Sequence, residues 1–287
     1  MKRIPAAVAL LAVLTAPAFS QQISFKLTGG WTTVQGDDYK TAVAGRMSFL
    51  RGTFASVAGE FRPLTNGANF QAEILTHWGK RLAIGFGGGY YQIGKSDVVT
   101  AVYAGEGGKV MVETALWPQL SAIPFFLNAH YKMSLGTKLG LDVFAGPVFQ
   151  IAQFSSERNA TSSVDPLGEV EAFKASVPTL GLQAGLSLSL SLGRGISLVV
   201  DGLYRYEKAY DFVGNWTYFG TSSTGSTSGT SSTYYLWYYD FAGPAGSTPL
   251  VGFFDENGPT GTGITGARKA ELNLSGVTLT AGIKIDL

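Results

Sequence analysis

Leu180, Leu182, Ala184, Leu186, Leu188, Leu190 and Leu192 alternate without a break with Gly181, Gln183, Gly185, Ser187, Ser189 and Ser191. Every second side chain along a β-strand points to the same face, so this stretch has one face of hydrocarbon and one that is small and polar. A half-buried strand of a water-soluble domain also alternates, but it usually runs about five or six residues, whereas a tilted strand crossing a bilayer needs about 9–11. The stretch is long enough to span, and it predicts a transmembrane strand.

The period recurs along the chain. Ile23, Phe25, Leu27 and Trp31 alternate with Ser24, Lys26 and Thr28; Phe70, Ala72, Ile74 and Trp78 alternate with Gln71, Glu73 and His77. From Leu82 to Tyr91 bulky residues alternate with Gly85, Gly87 and Gly89. Ile123, Phe125, Leu127, Ala129 and Tyr131 alternate with Asn128, His130 and Lys132, and Leu141, Val143 and Ala145 flank Asp142. Between Ile196 and Lys208 the polar set is Ser197, Asp201, Arg205 and Glu207. Val277, Leu279, Ala281, Ile283, Ile285 and Leu287 alternate with Thr278, Thr280, Lys284 and Asp286. Leu272 and Leu274 are out of phase with that last run, which predicts a bulge near Ser275 and Gly276 or a strand boundary there.

Lys2 and Arg3 precede an apolar run from Ile4 to Leu14 and small residues at Ala16, Ala18 and Ser20. This is the pattern of a cleavable secretory signal peptide over 1–20, cut before Gln21. A retained anchor helix is the weaker alternative, because about a dozen apolar residues fall short of the roughly 20 a spanning helix needs. Without the leader the chain carries 19 basic and 20 acidic residues, and it has no cysteine and two histidines. That composition excludes a basic nucleic-acid footprint, disulfides and Cys/His zinc sites. Mean hydropathy is nevertheless +0.16, with 14% charged residues and 38 glycines. An exported chain this apolar, with no unbroken spanning run, fits a closed barrel, the other structure that satisfies every backbone group in lipid.

Three connections between these strands are tight (79–81, 135–138 and 193–195) and four are long (35–69, 95–119, 155–176 and 213–268). Alternating short turns and long loops is the habit of outer-membrane barrels. The expectation is therefore one all-β domain over 21–287, an antiparallel up-and-down barrel of eight strands. Four extracellular loops and both termini in the periplasm follow. Asp37 and Asp38, as possible N-caps before Val43, Met47, Leu50 and Phe54, predict a short amphipathic helix packed on the barrel mouth. The run from Thr221 to Thr233, almost wholly Ser, Thr and Gly, predicts a mobile tip. Tyr234, Tyr235, Leu236, Trp237, Tyr238 and Tyr239 follow it, either as a hairpin on the lipid surface or as a recognition surface.

A cation facing lipid at mid-bilayer costs roughly 2–4 kcal/mol, so parity assigns Lys26, Glu73, His77, Lys132, Asp142, Asp201, Arg205, Glu207, Lys284 and Asp286 to the lumen. Eight strands leave an interior just wide enough for side chains to fill. Those charges then either form a plug of mutual pairs or, with Glu73, Asp201 and Arg205, gate a narrow path. Gly89 to Ser96 spells a P-loop, but the β-branched run from Val98 to Val102 denies it the helix that phosphate binding requires. Tyr90 and Tyr91 read as part of an aromatic girdle, as do Trp31, Trp78, Trp117, Tyr131, Tyr204, Tyr206 and Trp216. His77 and His130 lie near the periplasmic turns with no catalytic partner in view.

Ile123-Pro124-Phe125-Phe126-Leu127-Asn128, Asp142-Val143-Phe144-Ala145-Gly146-Pro147, Asp201-Gly202-Leu203-Tyr204-Arg205-Tyr206 and the run from Leu274 to Gly282 give the chain its family likeness. It resembles the small eight-stranded outer-membrane barrels of the OmpA/OmpW-like group, departing from them in ending on Leu287 where an aromatic residue is usual. The resemblance implies a non-catalytic, cofactor-free monomer of the bacterial outer membrane, without a peptidoglycan-binding domain. Its partners would be outer-membrane lipid, the barrel assembly machinery and an extracellular ligand or small solute. It would anchor and display loops, or alternatively act as a narrow, porin-like channel for small or apolar solutes.

Overall fold

The computed structural model describes residues 22–105, 108–163, 168–222, 225–243 and 246–287; the leader expected over 1–20 lies outside them. The elements are β1 (Ile23–Thr33), α1 (Asp37–Thr53), β2 (Ser56–Gly59), β3 (Asn66–Trp78), β4 (Leu82–Gly94) and β5 (Asp97–Gly105). Next come β6 (Gly108–Ser134), β7 (Leu139–Ser162), β8 (Gly168–Gly193), β9 (Ile196–Tyr206) and β10 (Lys208–Ala209). The last are β11 (Val213–Ser222), β12 (Gly225–Gly243), β13 (Gly246–Phe254), β14 (Ile264–Lys269), β15 (Leu272–Asn273) and β16 (Gly276–Asp286).

Antiparallel pairings join β1 to β3, β3 to β4, β4 to β6, β6 to β7, β7 to β8, β8 to β9 and β9 to β16. Pairing of β16 with β1 returns the path to its start and closes a ring, which leaves no spanning strand with an unpaired edge. At one end the ring turns tightly, and Gly79, Gly193 and Gly195 adopt left-handed φ of 69, 92 and 75° there, a conformation open to glycine.

The ring is inside-out relative to a water-soluble barrel. Leu27, Phe70, Phe86, Leu127, Leu186, Val200 and Leu279 are each at least 50% exposed on its outer face. Leaving such side chains in water forgoes about 1.5–3 kcal/mol apiece, so the exterior is built for hydrocarbon. Trp78 and Tyr131 stand outside near the tight turns, and Trp31, Tyr90, Tyr204 and Tyr206 outside near the opposite end, forming two interfacial girdles. Tyr91 does not belong to them: it is fully buried within the ring, because Tyr90 and Tyr91 point to opposite faces.

At the far end the long connections are not irregular loops. β6, β7 and β8 run 27, 24 and 26 residues, well past the length that crosses a bilayer. Their outer halves are flanked by β5 on β6 and β11 on β8, with β2 on β5 and β12 on β11. The run expected as a mobile tip therefore ends β11 and opens β12; residues 223–224 lie outside the described residues. Its backbone hydrogen bonds need no apolar side chains, which is why composition misdirects there. The strand after Gly94 is β5, not the helix of a P-loop.

α1 begins with Asp37 and Asp38 in its first turn rather than as caps, a placement that suits the helix dipole. It buries Tyr39, Ala42, Val43 and Met47 and packs on β13 so closely that a Cβ at Gly45 would lie 2.1 Å from the Pro249 carbonyl. Tyr39, Val43 and Met47 join Ile93, Leu120, Phe154, Phe173, Leu236 and Leu274 in an apolar core at the mouth. The phase break before β16 is a strand break, not a bulge. β15 pairs with β10 at the mouth, and the Glu207 and Gln35 N–H groups donate to Ser275 Oγ and O at 2.9 and 3.1 Å.

Candidate functional site

Beneath the apolar core the lumen is polar. Lys26 and Glu73 stand opposite each other in the β1–β3 register, and Lys26 Nζ lies 2.6 Å from Glu73 Oε2. The same ammonium lies 3.2 Å from Asp201 Oδ2 on β9. Glu73 Oε1 in turn accepts from Asn128 Nδ2 at 3.0 Å and faces His130 Nε2 at 2.9 Å. His130 Nδ1 is 3.1 Å from Asp142 Oδ2, and its ring stacks on Phe144. From β8, Gln183 donates to Asn128 Oδ1 at 3.0 Å. The contacts thus run Asp201–Lys26–Glu73–His130–Asp142 across the barrel. β4 yields room for them with glycine: a Cβ on Gly85 would meet Glu73 Oε1 at 2.2 Å and His130 Nε2 at 2.8 Å.

Two smaller groups flank this chain of charges. Toward the tight turns, Lys132 Nζ lies 2.8 Å from His77 Nδ1, His77 Nε2 lies 2.6 Å from Ser24 Oγ, and Ser24 donates to Asp286 at 2.6 Å. With an ammonium on Nδ1 and a carboxylate taking the serine proton, the imidazole donates to Ser24 instead of accepting from it. That hydrogen-bond direction is the reverse of an activated nucleophile. Lys284 completes the group, 3.5 Å from Asp286. Toward the mouth, Arg205 packs over the Tyr91 ring at 4.4 Å, lies 3.6 Å from Glu207 and donates to the Leu274 carbonyl. Glu207 accepts from Thr179, and Tyr91 and Gln150 bond each other.

Of the residues assigned to the lumen by parity, Lys26, Glu73, Asp142 and Asp201 are brought into one network, Lys132 lies below it and Arg205 with Glu207 above it. Arg205 is therefore bonded to Glu207 and the Leu274 carbonyl and not to Glu73 or Asp201. His130 holds the network together and was left aside in the sequence, although it shares a face with Asn128 and Lys132. Both histidines have polar partners, Glu73 and the hairpin neighbour Asp142 for His130, Ser24 and Lys132 for His77. A lumen cavity of about 60 Å³ remains, bordered by Lys26, Lys132, Asp142 and Lys284, room for a few waters.

The aromatic run of β12 is packed against its neighbours. Tyr234 stacks on Trp216, Tyr235 and Tyr238 lie under Lys269 and Arg268, Trp237 donates to the Asp255 carbonyl, and Leu236 is fully buried. Tyr239 meets Phe254 edge-on. Trp216 belongs to this cluster and not to a girdle; its indole N–H donates to Glu171.

No protein-family profile and no curated protein matches the chain. Among solved structures, it is similar to a major outer membrane protein of Thermus thermophilus, with 14% identity, 94% of this chain and 100% of that one covered, and a TM-score of 0.39. It is also similar to the outer membrane protease OmpT of Escherichia coli, with 12% identity, 95% and 99% coverage, and a TM-score of 0.38. The likeness is to outer-membrane β-barrels. Because one of these structures is a protease, the expectation that the chain is not an enzyme is withdrawn: fold at this identity leaves catalysis open.

Proposed function

We propose that the chain is a bacterial outer-membrane protein whose ring of eight strands anchors an ordered extension of the same strands and presents it at the cell surface. In this reading the leader over 1–20 is removed on export, the tight turns and both termini face the periplasm, and the elements from α1 to β5 and from β11 to β14 face outward. The reading rests on one observation above all. A network of paired charges crosses the lumen, leaving beside it a cavity of about 60 Å³, and an apolar core with α1 lies over it. Opening a path would separate buried ions from their partners, which costs several kcal/mol per ion.

Planar-bilayer recording from the refolded protein tests it. The expected result is no discrete openings in a membrane shown by protease protection to hold the folded barrel. Reproducible openings whose size changes in Lys26→Ala would overturn it in favour of a narrow channel through the lumen.

A further inference from the structure

The mouth contains a second kind of space. α1, the outer halves of β6, β7 and β8, and the β12 and β13 strands enclose a cavity of about 410 Å³, within the range of small-molecule sites. Phe61, Phe154, Phe253 and Leu116 give it an apolar wall, and the polar groups that reach it include Tyr39, Arg46, Arg158 and Glu171.

Arg158 and Glu171 satisfy each other, but Tyr39 and Arg46 are left out of that pairing. Arg158 is held by two carboxylates, with Nε 3.0 Å from Glu171 Oε2 and Nη2 3.2 Å from Glu169 Oε2. The other oxygen of Glu171 accepts from the Trp216 indole at 2.7 Å. Both Glu171 oxygens are thereby committed, and among the described residues no carboxylate lies within ion-pair distance of Arg46. It lies over the Phe61 ring at 5.5 Å; burial first, then the like-charged Arg158, hold its pKa below the usual guanidinium range against the opposing charge of Glu171. The Tyr39 hydroxyl is also orphaned: Tyr39 is only 8% exposed, and its oxygen has no hydrogen-bond partner among the described residues. Burial pushes its pKa up, so it stays a neutral donor. Two uncommitted donors, one of them cationic, thus face an apolar chamber. A part-buried guanidinium with no carboxylate beside it is free to take an anion, and a carboxylate offers it two acceptor oxygens in the matching plane.

We propose that this cavity binds a small apolar carboxylate, with the carboxylate between Arg46 and Tyr39 and an aryl or alkyl body against Phe61, Phe154 and Phe253. The site lies above the lumen, so it stands whether or not the barrel conducts.

The test is ¹⁹F NMR titration of 4-(trifluoromethyl)phenylacetate into the protein in lipid nanodiscs, with empty nanodiscs subtracted and the neutral amide of the same acid as comparator. Saturable binding is expected, with the amide at least about tenfold weaker. Arg46→Gln should weaken the acid by about tenfold or more and erase its preference over the amide, Tyr39→Phe should weaken it severalfold, and Ser156→Trp should block both by filling the chamber. If Arg46→Gln fails to fold, Tyr39→Phe and Ser156→Trp carry the test. No saturable binding, equal binding of acid and amide, or binding indifferent to the folded variants would each overturn the proposal.

Discussion

Lys26 is the residue on which the lumen turns. It faces a carboxylate on each side, and in the β1–β16 register it stands opposite another cation, Lys284. The like charges are kept apart because Lys284 is drawn to Asp286. Glu73 carries the larger share of the pairing, since it answers Lys26, His130 and Asn128 together. Glu73→Ala should therefore leave a buried cation half-paired and destabilise the barrel by about 3–5 kcal/mol. Replacing Lys26, Glu73 and Asp201 together by Met, Leu and Asn should recover most of that loss; urea unfolding in lipid vesicles reads both. Equal instability of the single and triple variants would show that volume, not charge, governs the site. At this scale the sequence was legible where parity sufficed: Lys26, Glu73 and Asp201 face inward because a lipid-facing charge is costly. It was not legible for His130 or Ser24, whose roles depend on partners that other strands supply. Tyr91 shows the same limit, since a tyrosine suits a girdle and a lumen equally well.

Elements were readable according to what their outer face touches. Spanning strands such as β8 below Leu180 declare themselves because lipid demands bulky apolar residues at every second position. Beyond the bilayer that demand lapses, so the outer halves of β7 and β8 carry Arg158, Glu169 and Glu171, and hydrophobic period two fades while the backbone ladder continues. Connections of that composition look like loops in a sequence and are strands in the structure. α1 was readable by its period, but not its anchor. Asp38 receives Arg268 Nη1 and Nη2 at 2.6 and 2.7 Å and the Glu271 N–H at 2.7 Å, tying the helix to the segment before β15. Asp38→Ala removes three charge-assisted hydrogen bonds and should loosen α1 by about 2–3 kcal/mol. Amide exchange should quicken across 37–53 while the protection of β1 and β16 is unchanged; quickening of the whole ring would mean that the helix holds the barrel itself.

For the whole molecule, two layers lie in series, the charged network in the lumen and the apolar core with its outer strands at the mouth, and they are separable by the way the chain is joined. β10 and β15 pair Ala209 with Leu272, so the chain ends left by removing residues 211–270 lie side by side and can be rejoined by a short glycine linker. None of the ring's pairings uses the removed residues. The shortened protein should therefore still fold into a barrel, while exposing Phe154 and Phe173 at its mouth and losing the chamber around Arg46. If the ion pairs are the principal seal, this barrel remains electrically silent, and small openings arise only when Lys26→Ala and Glu73→Ala are added to it. Openings in the shortened barrel with its lumen charges intact would place the seal at the mouth. The apolar core would then be the barrier between cell surface and periplasm, and the charges beneath it would serve to hold the ring in register.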